Sequence, residues 1–273
     1  MARELLRRAA AGLRLVVGAA LDLLWPPVCP SCGAGLSAGH GDRLCAACRA
    51  ELPLISGRAC RRCGMPLGPF EADHDGRYCT DCGEKNLVFT RAASAGVYEG
   101  PLARLVQAYK YSPRARCAHL AGDLAGLLAA RLSSPDCPLE AHQAELVVPV
   151  PSHRSRRLQR GFDAAGELAR ELARRLDRPC SLRTLAKTRP TPPQMGLSRA
   201  ERLQNVQGSF AVRRPADVRG RLVLLVDDVM TTCSTAAECA RALRAAGARE
   251  VRVASVARAL EGRSLADAGP GME

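Results

Sequence analysis

The chain has 273 residues, 47% of them apolar, and a formal net charge of +13. This much apolar material can bury a core in one or two domains, which excludes a wholly disordered chain. No run of about 18 uncharged apolar residues occurs, which excludes a polytopic membrane protein. The basic excess favours anionic partners such as phosphates, nucleic acid or a membrane surface.

The basic residues are strongly skewed toward Arg. Of 40 basic residues 37 are Arg, and the Lys residues are Lys85, Lys110 and Lys187. This skew indicates a compositional bias, so part of the charge carries no functional message. Its placement says more, because residues 152–203 hold 13 basic and five acidic residues, a net charge of +8.

Residues 1–26 combine basic residues with an apolar stretch from Leu15 to Leu24. Arg14 and Asp22 bracket that stretch, and no clear small-x-small cleavage site follows it. Because the apolar residues recur near helical spacing, we predict an amphipathic helix over 1–26 that packs on the body or on a partner. A cleaved signal peptide is the alternative.

Four CxxC pairs follow, separated by 12, 11 and 15 residues. Two such pairs supply the four thiolates that tetrahedral Zn²⁺ takes, and a Gly follows the second Cys of three pairs, as a turn with positive φ requires. We predict two structural zinc ions in a double zinc ribbon over 27–90. The simplest assignment is sequential, and its two ligand sets are Cys29, Cys32, Cys45 and Cys48, then Cys60, Cys63, Cys79 and Cys82.

A cross-braced pairing, first pair with third and second with fourth, is equally compatible with the spacing. The ribbon is interpreted either as a structural cap or as a docking module for nucleic acid or protein. An odd cysteine count with CxxC pairs favours thiolate–metal chemistry in a reducing cytoplasm over a disulfide framework.

Strands and helices alternate in the larger domain, predicted over 91–262. We predict strands at 145–150, 222–226 and 251–257 and helices at 162–176 and 235–246, the last closed by Gly247. This order indicates an α/β fold with a parallel sheet. Residues 263–273 lack apolar periodicity, and we expect them to be disordered.

Two acids at the end of a strand precede a loop rich in hydroxyl groups. Asp227 and Asp228 follow the apolar run 222–226, and residues 231–235 open a helix. A helix N-terminus with hydroxyl donors suits a phosphate, whereas paired carboxylates suit sugar hydroxyls. A sugar phosphate satisfies both halves of the motif. An ordinary helix cap beside two solubilising acids explains the combination poorly.

The stretch LVLLVDDVMTTCSTAAE resembles the phosphoribosyl pyrophosphate (PRPP) motif of type I phosphoribosyltransferases. With the cysteine ribbon, the whole chain is similar to the ComF (competence protein F) family. The further stretches that carry this resemblance are YEGPL at 98–102, YKY at 109–111, VPVPSHRSRRLQRGF from Val148 and TPPQMGLSRAERLQNVQGSF from Thr191.

The resemblance implies a type I phosphoribosyltransferase-like fold and a role for each motif. Asp227 and Asp228 would be catalytic and hold the ribose hydroxyls, while 149–154 would form the pyrophosphate loop and 187–204 a mobile hood. The PRPP-binding residues would be Asp227, Asp228, Thr231, Thr232, Cys233, Ser234, Thr235, Lys110, Ser152 and Arg154. The hood residues in the family's pattern are Gln194, Ser198, Arg199 and Arg202.

This chain departs from the family at two places. Cys233 stands where the phosphate loop usually has Gly, and we assign it no redox role. Asp163 and Ala164 replace the Asn and Gln of the usual GFNQ.

The resemblance implies two functional hypotheses, which are compatible with each other. The first is a cytoplasmic phosphoribosyltransferase that binds PRPP with magnesium and transfers phosphoribosyl to an unidentified nitrogen acceptor. Arg154, Arg157 or Lys110 would stabilise the departing pyrophosphate. The second is a non-catalytic factor of natural competence and DNA uptake, which binds single-stranded DNA or docks competence-machinery proteins.

Overall fold

The computed structural model of the chain describes residues 27–36, 43–68, 78–79, 82, 87–111, 114–191 and 199–260. The chain divides into two compact units, Met1–Leu52 and Pro53–Glu273. This division falls inside the predicted ribbon segment 27–90 and assigns the two cysteine sets to different units. The predicted N-terminal helix (1–26) and disordered tail (263–273) lie outside the described residues.

The first unit contains a hairpin at Cys29 and a short helix after Cys45. Gly33 donates its N–H to Cys29 O at 2.8 Å. Its φ of 77° is the left-handed conformation expected of a Gly that follows a CxxC pair. Helix α1 (Ala46–Ala50) begins after Cys45, whose Sγ accepts a hydrogen bond from Cys48 N.

A four-stranded parallel sheet forms the centre of the second unit, and its strands are β1 (Arg91–Val97), β2 (Leu146–Pro149), β5 (Leu222–Met230) and β6 (Glu250–Arg258). The strand order in the sheet is β1-β6-β5-β2. The two central strands, β5 and β6, are buried over most of their length, and β5 begins with the uninterrupted apolar run 222–226 that is typical of a strand covered on both faces. The predicted α/β fold with a parallel sheet is confirmed.

Helices connect the strands and cover both faces of the sheet. The helices described in this unit are α2 (Gly100–Tyr111), α3 (Arg114–Leu132), a 3₁₀ helix (Ala141–Gln143), α4 (Arg154–Arg160), α5 (Ala164–Leu176), α6 (Arg199–Val206), α7 (Pro215–Val218) and α8 (Ser234–Ala245). Helix α3 packs on β1 and β6, and helix α5 packs on α3, β2 and β5. Helix α8 packs on β5 and β6 and contributes to a buried core cluster with them.

A second, smaller sheet flanks the segment 187–204 that was predicted as the hood. Strands β3 (Leu185–Lys187) and β4 (Phe210–Val212) pair antiparallel. Helix α6 lies in the connection between them and packs on α8. Residues 192–198, and with them the predicted hood residues Gln194 and Ser198, lie outside the described part of the chain.

The second cysteine set is built into the core of this unit. Cys60 and Cys63, each 0% exposed, belong to the same buried cluster as Leu225 of β5 and Val253 of β6. Gly64 follows the pair with a φ of 70°, and a Cβ at this position would lie 3.2 Å from Ala92 O of β1. Glycine therefore satisfies both the backbone conformation and the close approach of the hairpin to the sheet.

Candidate functional site

A cleft of about 450 Å³ opens at the carboxyl edge of the sheet, where β2 and β5 end side by side. Pro149 pairs with Val226, and Val150 N donates to Val226 O at 2.8 Å. The strand β5 continues past Val226, where the sequence predicted its end, to Met230. Asp227 and Asp228 therefore lie on the extended strand itself, which fixes their backbone beside the loop that follows β2.

The segment between β5 and α8 is short. Thr231, Cys233, Ser234 and Thr235 line the cleft. Thr232 is buried instead, and its Oγ1 lies 2.9 Å from Ser234 Oγ and accepts a hydrogen bond from Ser234 N. Of the five loop residues assigned to phosphate, the structure places four along the cleft, while the Thr232 hydroxyl caps the helix.

Cys233 has a φ of 67°, in the left-handed region. This conformation favours Gly, which explains why the related motif usually carries Gly here. The side chain is 2% exposed. Cys233 O accepts a hydrogen bond from Ala237 N at 2.8 Å, so the residue also starts the hydrogen bonding of α8.

A compact set of opposite charges occupies the cleft. Lys110 Nζ lies 2.9 Å from Asp228 Oδ1, and Asp227 Oδ1 accepts a hydrogen bond from Asp228 N at 2.9 Å. Burial and the neighbouring charge of Asp228 raise the pKa of Asp227 to about 7. Burial opposes the charge on Lys110, but Asp228 and Asp227 raise the pKa of its ammonium above the ordinary value.

The loop after β2 forms a second wall of the cleft. Ser152 and His153 line it. His153 is the N-cap of α4, and its Nδ1 accepts a hydrogen bond from Ser155 N and lies 2.8 Å from Ser155 Oγ. Arg154 is exposed at the start of α4 and does not line the cleft. The structure therefore does not bring this predicted PRPP-binding residue together with the predicted residues that line the cleft.

The small sheet contributes residues that the sequence did not assign to substrate. Lys187 ends β3 and lines the cleft together with Thr191 and Phe210. Its Nζ donates to Thr191 Oγ1 at 2.7 Å and lies 5.4 Å from the centre of the Phe210 ring. The rarity of Lys in this Arg-rich chain was the signal in the sequence that could have identified Lys187. The structure places two of the three Lys residues, Lys110 and Lys187, in this cleft.

The eight predicted zinc ligands form two groups of four, paired sequentially. Within each group the sulfur atoms lie within 4.8 Å of one another. The Sγ–Sγ distance is 3.6 Å for Cys60 and Cys82, for Cys63 and Cys79, and for Cys32 and Cys45. Tetrahedral Zn²⁺ with bonds of about 2.3 Å needs sulfurs about 3.8 Å apart, so both groups fit the ion.

Comparisons with known proteins agree with both parts of this architecture. A family model described as "Double zinc ribbon domain" matches residues 20–83, and one described as "Phosphoribosyl transferase domain" matches residues 158–271. Competence protein F of Haemophilus influenzae is 29% identical over 79% of this chain and 96% of its own length. DNA utilization protein YhgH of Escherichia coli is 30% identical over 86% of this chain and 98% of its own length.

The chain belongs to the competence protein F family. The resemblance found in the sequence is thereby confirmed, as are the double zinc ribbon and the phosphoribosyltransferase-type fold. Among solved structures, glutamine PRPP amidotransferase from B. subtilis is similar at 22% identity and a TM-score of 0.37, over 55% of this chain and 30% of that chain. No helix in the described part of this family member is long and apolar enough to cross a bilayer.

Proposed function

We propose that this protein binds PRPP in the cleft at the carboxyl edge of the sheet and transfers its phosphoribosyl group to a nitrogen acceptor. The observation that carries the proposal is the meeting of two chemically different groups in one cleft. Asp227 and Asp228 line it together with Thr231, Cys233, Ser234 and Thr235 of the loop that leads into α8. PRPP presents a diol and an anionic phosphate on one sugar, so it offers a partner to each group.

The acid pair supports binding of the ribose hydroxyls. A carboxylate accepts two hydrogen bonds, so it can take both hydroxyls of a vicinal diol. The backbone N–H of Asp228 donates a hydrogen bond to the carboxylate of Asp227, and this bond orients the carboxylate. The pKa of Asp227 near 7 indicates that its charge is poorly compensated without ligand, and hydroxyl donors would stabilise the ionised form.

The start of α8 supports binding of the 5-phosphate. This helix of 12 residues begins at Ser234, and its first N–H groups have no partners within the helix. They carry a partial positive charge that attracts an anion. The hydroxyl groups of Thr231 and Thr235 line the same part of the cleft and supply further donors.

The remaining walls support binding of the pyrophosphate. The loop 150–153 and the ammonium groups of Lys110 and Lys187 line the cleft beside the acid pair. Outside the two cysteine sets, the described residues contain no cluster of three or more metal-ligating side chains. Mg²⁺ fits this arrangement as an ion held chiefly by PRPP oxygens and water, and when bound it would neutralise pyrophosphate charge.

The proposed transfer exchanges one bond at ribose C1 for another. The bond from C1 to the pyrophosphate oxygen breaks, and its electron pair leaves with the pyrophosphate. The lone pair of the acceptor nitrogen forms the new C1–N bond, and the nitrogen releases its proton to solvent. Asp227 and Asp228 would stabilise the positive charge that develops on the sugar, while Lys110 and Lys187 would stabilise the leaving group.

Isothermal titration of the full chain with PRPP and MgCl₂ tests the binding step. We expect saturable binding that is weakened at least about 100-fold in an Asp227→Asn, Asp228→Asn double variant, because two hydrogen bonds to charged groups are lost. The matched control is Glu167→Gln, Glu171→Gln, which removes two acids that pair with Arg170 and Arg174 on α5. Absence of PRPP binding to the unmodified chain would contradict the proposal.

Pyrophosphate release from PRPP then tests the transfer step. A panel of nucleobases and amines is supplied as acceptors, and the release rate is measured with each. Acceleration by one class identifies the acceptor. Binding of PRPP without release in the presence of any acceptor would retain the cleft as a PRPP site and reject the enzyme.

A second candidate function is binding of single-stranded DNA in the cytoplasm, together with proteins of a competence machinery. The names of the relatives, competence protein F and DNA utilization protein, favour it. Arg154 and Arg157 are exposed on α4 within the basic tract 152–203. Zinc sites made of four cysteine thiolates need reduced sulfur, which agrees with a reducing compartment.

Fluorescence anisotropy with labelled single-stranded DNA at several salt concentrations tests this function. Removing one contact to a DNA phosphate should lower the steepness of the salt dependence by about 0.7. Arg154→Gln, Arg157→Gln should therefore weaken binding and flatten the slope. Arg219→Gln, Arg221→Gln is the control with the same charge change, because these exposed residues lie outside the basic tract, before the start of β5. No affinity at low salt would remove the DNA function.

A further inference from the structure

A buried arginine lies at the end of β6, directly behind the phosphate loop. Arg258 is 1% exposed and is in register with Met230, the last residue of β5. Its Nη1 donates to Met230 O at 2.9 Å and also to Thr231 O. These two carbonyls belong to the residues at which the strand turns into the loop, so the guanidinium fixes the start of the loop.

The loop that this guanidinium holds is packed with the second cysteine set, because Met230 and Cys233 belong to the same buried cluster as Cys60, Cys63, Cys79 and Cys82. Burial opposes the charge of Arg258, but the neighbouring sulfurs of Cys233, Cys63 and Cys79 raise the pKa of its guanidinium. Among the described residues, Arg258 Nε has no hydrogen-bond partner. One buried cation thus holds the loop carbonyls and lies beside the cluster that contains the second cysteine set.

Charge balance explains why an arginine is needed at this place. Four thiolates and one Zn²⁺ leave a net charge of −2 in a cluster whose cysteines are all buried. A buried charge is costly unless it is paired and hydrogen-bonded. The planar guanidinium can donate to the sulfurs on one side and to the carbonyls on the other, which the single ammonium of Lys cannot do.

We propose that Arg258 is a positioning residue that ties the phosphate loop to the second zinc site, so that the metal at Cys60, Cys63, Cys79 and Cys82 sets the affinity of the loop for phosphate. The effect on ligand affinity rests on the proposed PRPP function. The coupling between metal and loop does not, and it has its own measurements. A residue that merely filled the core would affect stability without linking zinc occupancy to the loop.

Arg258→Lys is the test variant, and Arg252→Lys is its matched control. Arg252 is a second buried arginine on the same strand, 4% exposed, and its Nη1 donates to Leu139 O and Glu140 O away from the loop. For Arg258→Lys we expect zinc binding at one of the two sites to weaken roughly 10- to 100-fold, as for other groups that orient metal ligands. We also expect faster amide hydrogen exchange over 230–235 and about tenfold weaker PRPP binding. The control should change none of these.

The outcomes separate the two proposals. If PRPP does not bind the unmodified chain but Arg258→Lys alters zinc affinity and loop exchange, the coupling stands and the PRPP function fails. Unchanged zinc affinity and unchanged exchange over 230–235 would overturn the coupling, whatever PRPP does.

A measurement on the unmodified chain covers the case in which the variant does not fold. Zinc is removed stepwise with a chelator, and alkylation of the cysteines, located by mass spectrometry, shows which site has been emptied. We expect exchange over 230–235 to accelerate when the site at Cys60–Cys82 is emptied. Acceleration that follows the loss of the Cys29–Cys48 site, or that follows neither, overturns the proposal.

Discussion

Lys110 Nζ and Asp228 Oδ1 form an ion pair of 2.9 Å inside the cleft, with side chains that are 19% and 14% exposed. The pair joins helix α2, which carries Lys110, to the central strand β5, which carries Asp228. It supplies the acid motif with a counter-charge before any ligand binds. Under the proposed function, PRPP would share or displace this lysine, and its pyrophosphate would offer the lysine a new anionic partner.

Replacement of Lys110 by Met should weaken PRPP binding. The variant loses a cation for the pyrophosphate and leaves the charge of Asp228 without its partner. We expect roughly a 10- to 100-fold loss of affinity, in the range of one hydrogen bond to a charged group. Lys110→Arg keeps the charge but changes its shape and should lie between the two. Titration calorimetry measures all three, and unchanged affinity in Lys110→Met would place the lysine outside the binding site.

Replacement of Asp227 by Asn should weaken PRPP binding but increase the free energy of unfolding. The pKa of Asp227 in the folded chain is raised to about 7 from 3.8, so the carboxyl group contributes stability below pH 4 that is lost as the pH rises through 7. Asn carries no charge and keeps the oxygen that accepts from Asp228 N. We expect the variant to be more stable than the unmodified chain by a few kcal/mol at pH 8 and by less than half of that amount at pH 5.

Denaturant unfolding at the two pH values measures this difference. The same pKa predicts that PRPP affinity of the unmodified chain increases between pH 6 and pH 8, since the ionised carboxylate accepts both hydroxyls. Asp163→Asn is a comparison for the stability measurement, because burial also raises the pKa of the Asp163 carboxyl. That carboxyl caps α5, so its replacement shows what loss of a buried acid does to stability at another position. A stability gain in Asp227→Asn that is the same at both pH values would refute the assignment of this pKa.

Cys233 allows the backbone strain in the loop to be measured. At a φ of 67° a residue with Cβ costs about 1 kcal/mol more than Gly. Cys233→Gly should therefore be more stable than Cys233→Ala by about this amount, the reverse of the usual order of these residues. Both variants lose the thiol, so their comparison isolates the backbone. Thermal unfolding measures it, and a more stable Ala variant would contradict the left-handed conformation.

Much of this fold follows from local sequence patterns. The apolar run at 222–226 predicted the central strand β5, because strands buried on both faces carry no polar alternation, and 251–257 predicted its neighbour β6. The acid pair followed by hydroxyl residues predicted the cleft, since its two halves are adjacent in the chain. The cysteine sets were also readable, because their ligands lie in pairs with fixed spacing.

Other features depend on long-range packing and were not readable. In the YKY stretch, Tyr109 is fully buried and donates to Ala164 O, Lys110 turns into the cleft, and Tyr111 is 76% exposed. Nothing in the three residues alone assigns these environments. Arg258 is likewise one of 37 Arg residues, and only the register of β5 with β6 shows that it reaches the loop.

The two cysteine sets should differ in what they contribute to stability. In the second unit all four cysteines are buried and pack with the core of the sheet. In the first set Cys32 is exposed and Cys45 half-buried. Loss of the metal should therefore disturb a large core in one case and a small hairpin and helix in the other.

Cys82→Ser and Cys32→Ser each remove one ligand from one site and test this difference. Zinc content should fall from two ions to one in both variants. We expect Cys82→Ser to lower the midpoint temperature of the main calorimetric transition by about 10 °C or more. The larger unit would lose several kcal/mol of its free energy of unfolding, because the lost ligand belongs to its core. Cys32→Ser should leave that transition within about 2 °C. Equal shifts in the two variants would show that the second zinc site is no more a part of the core than the first.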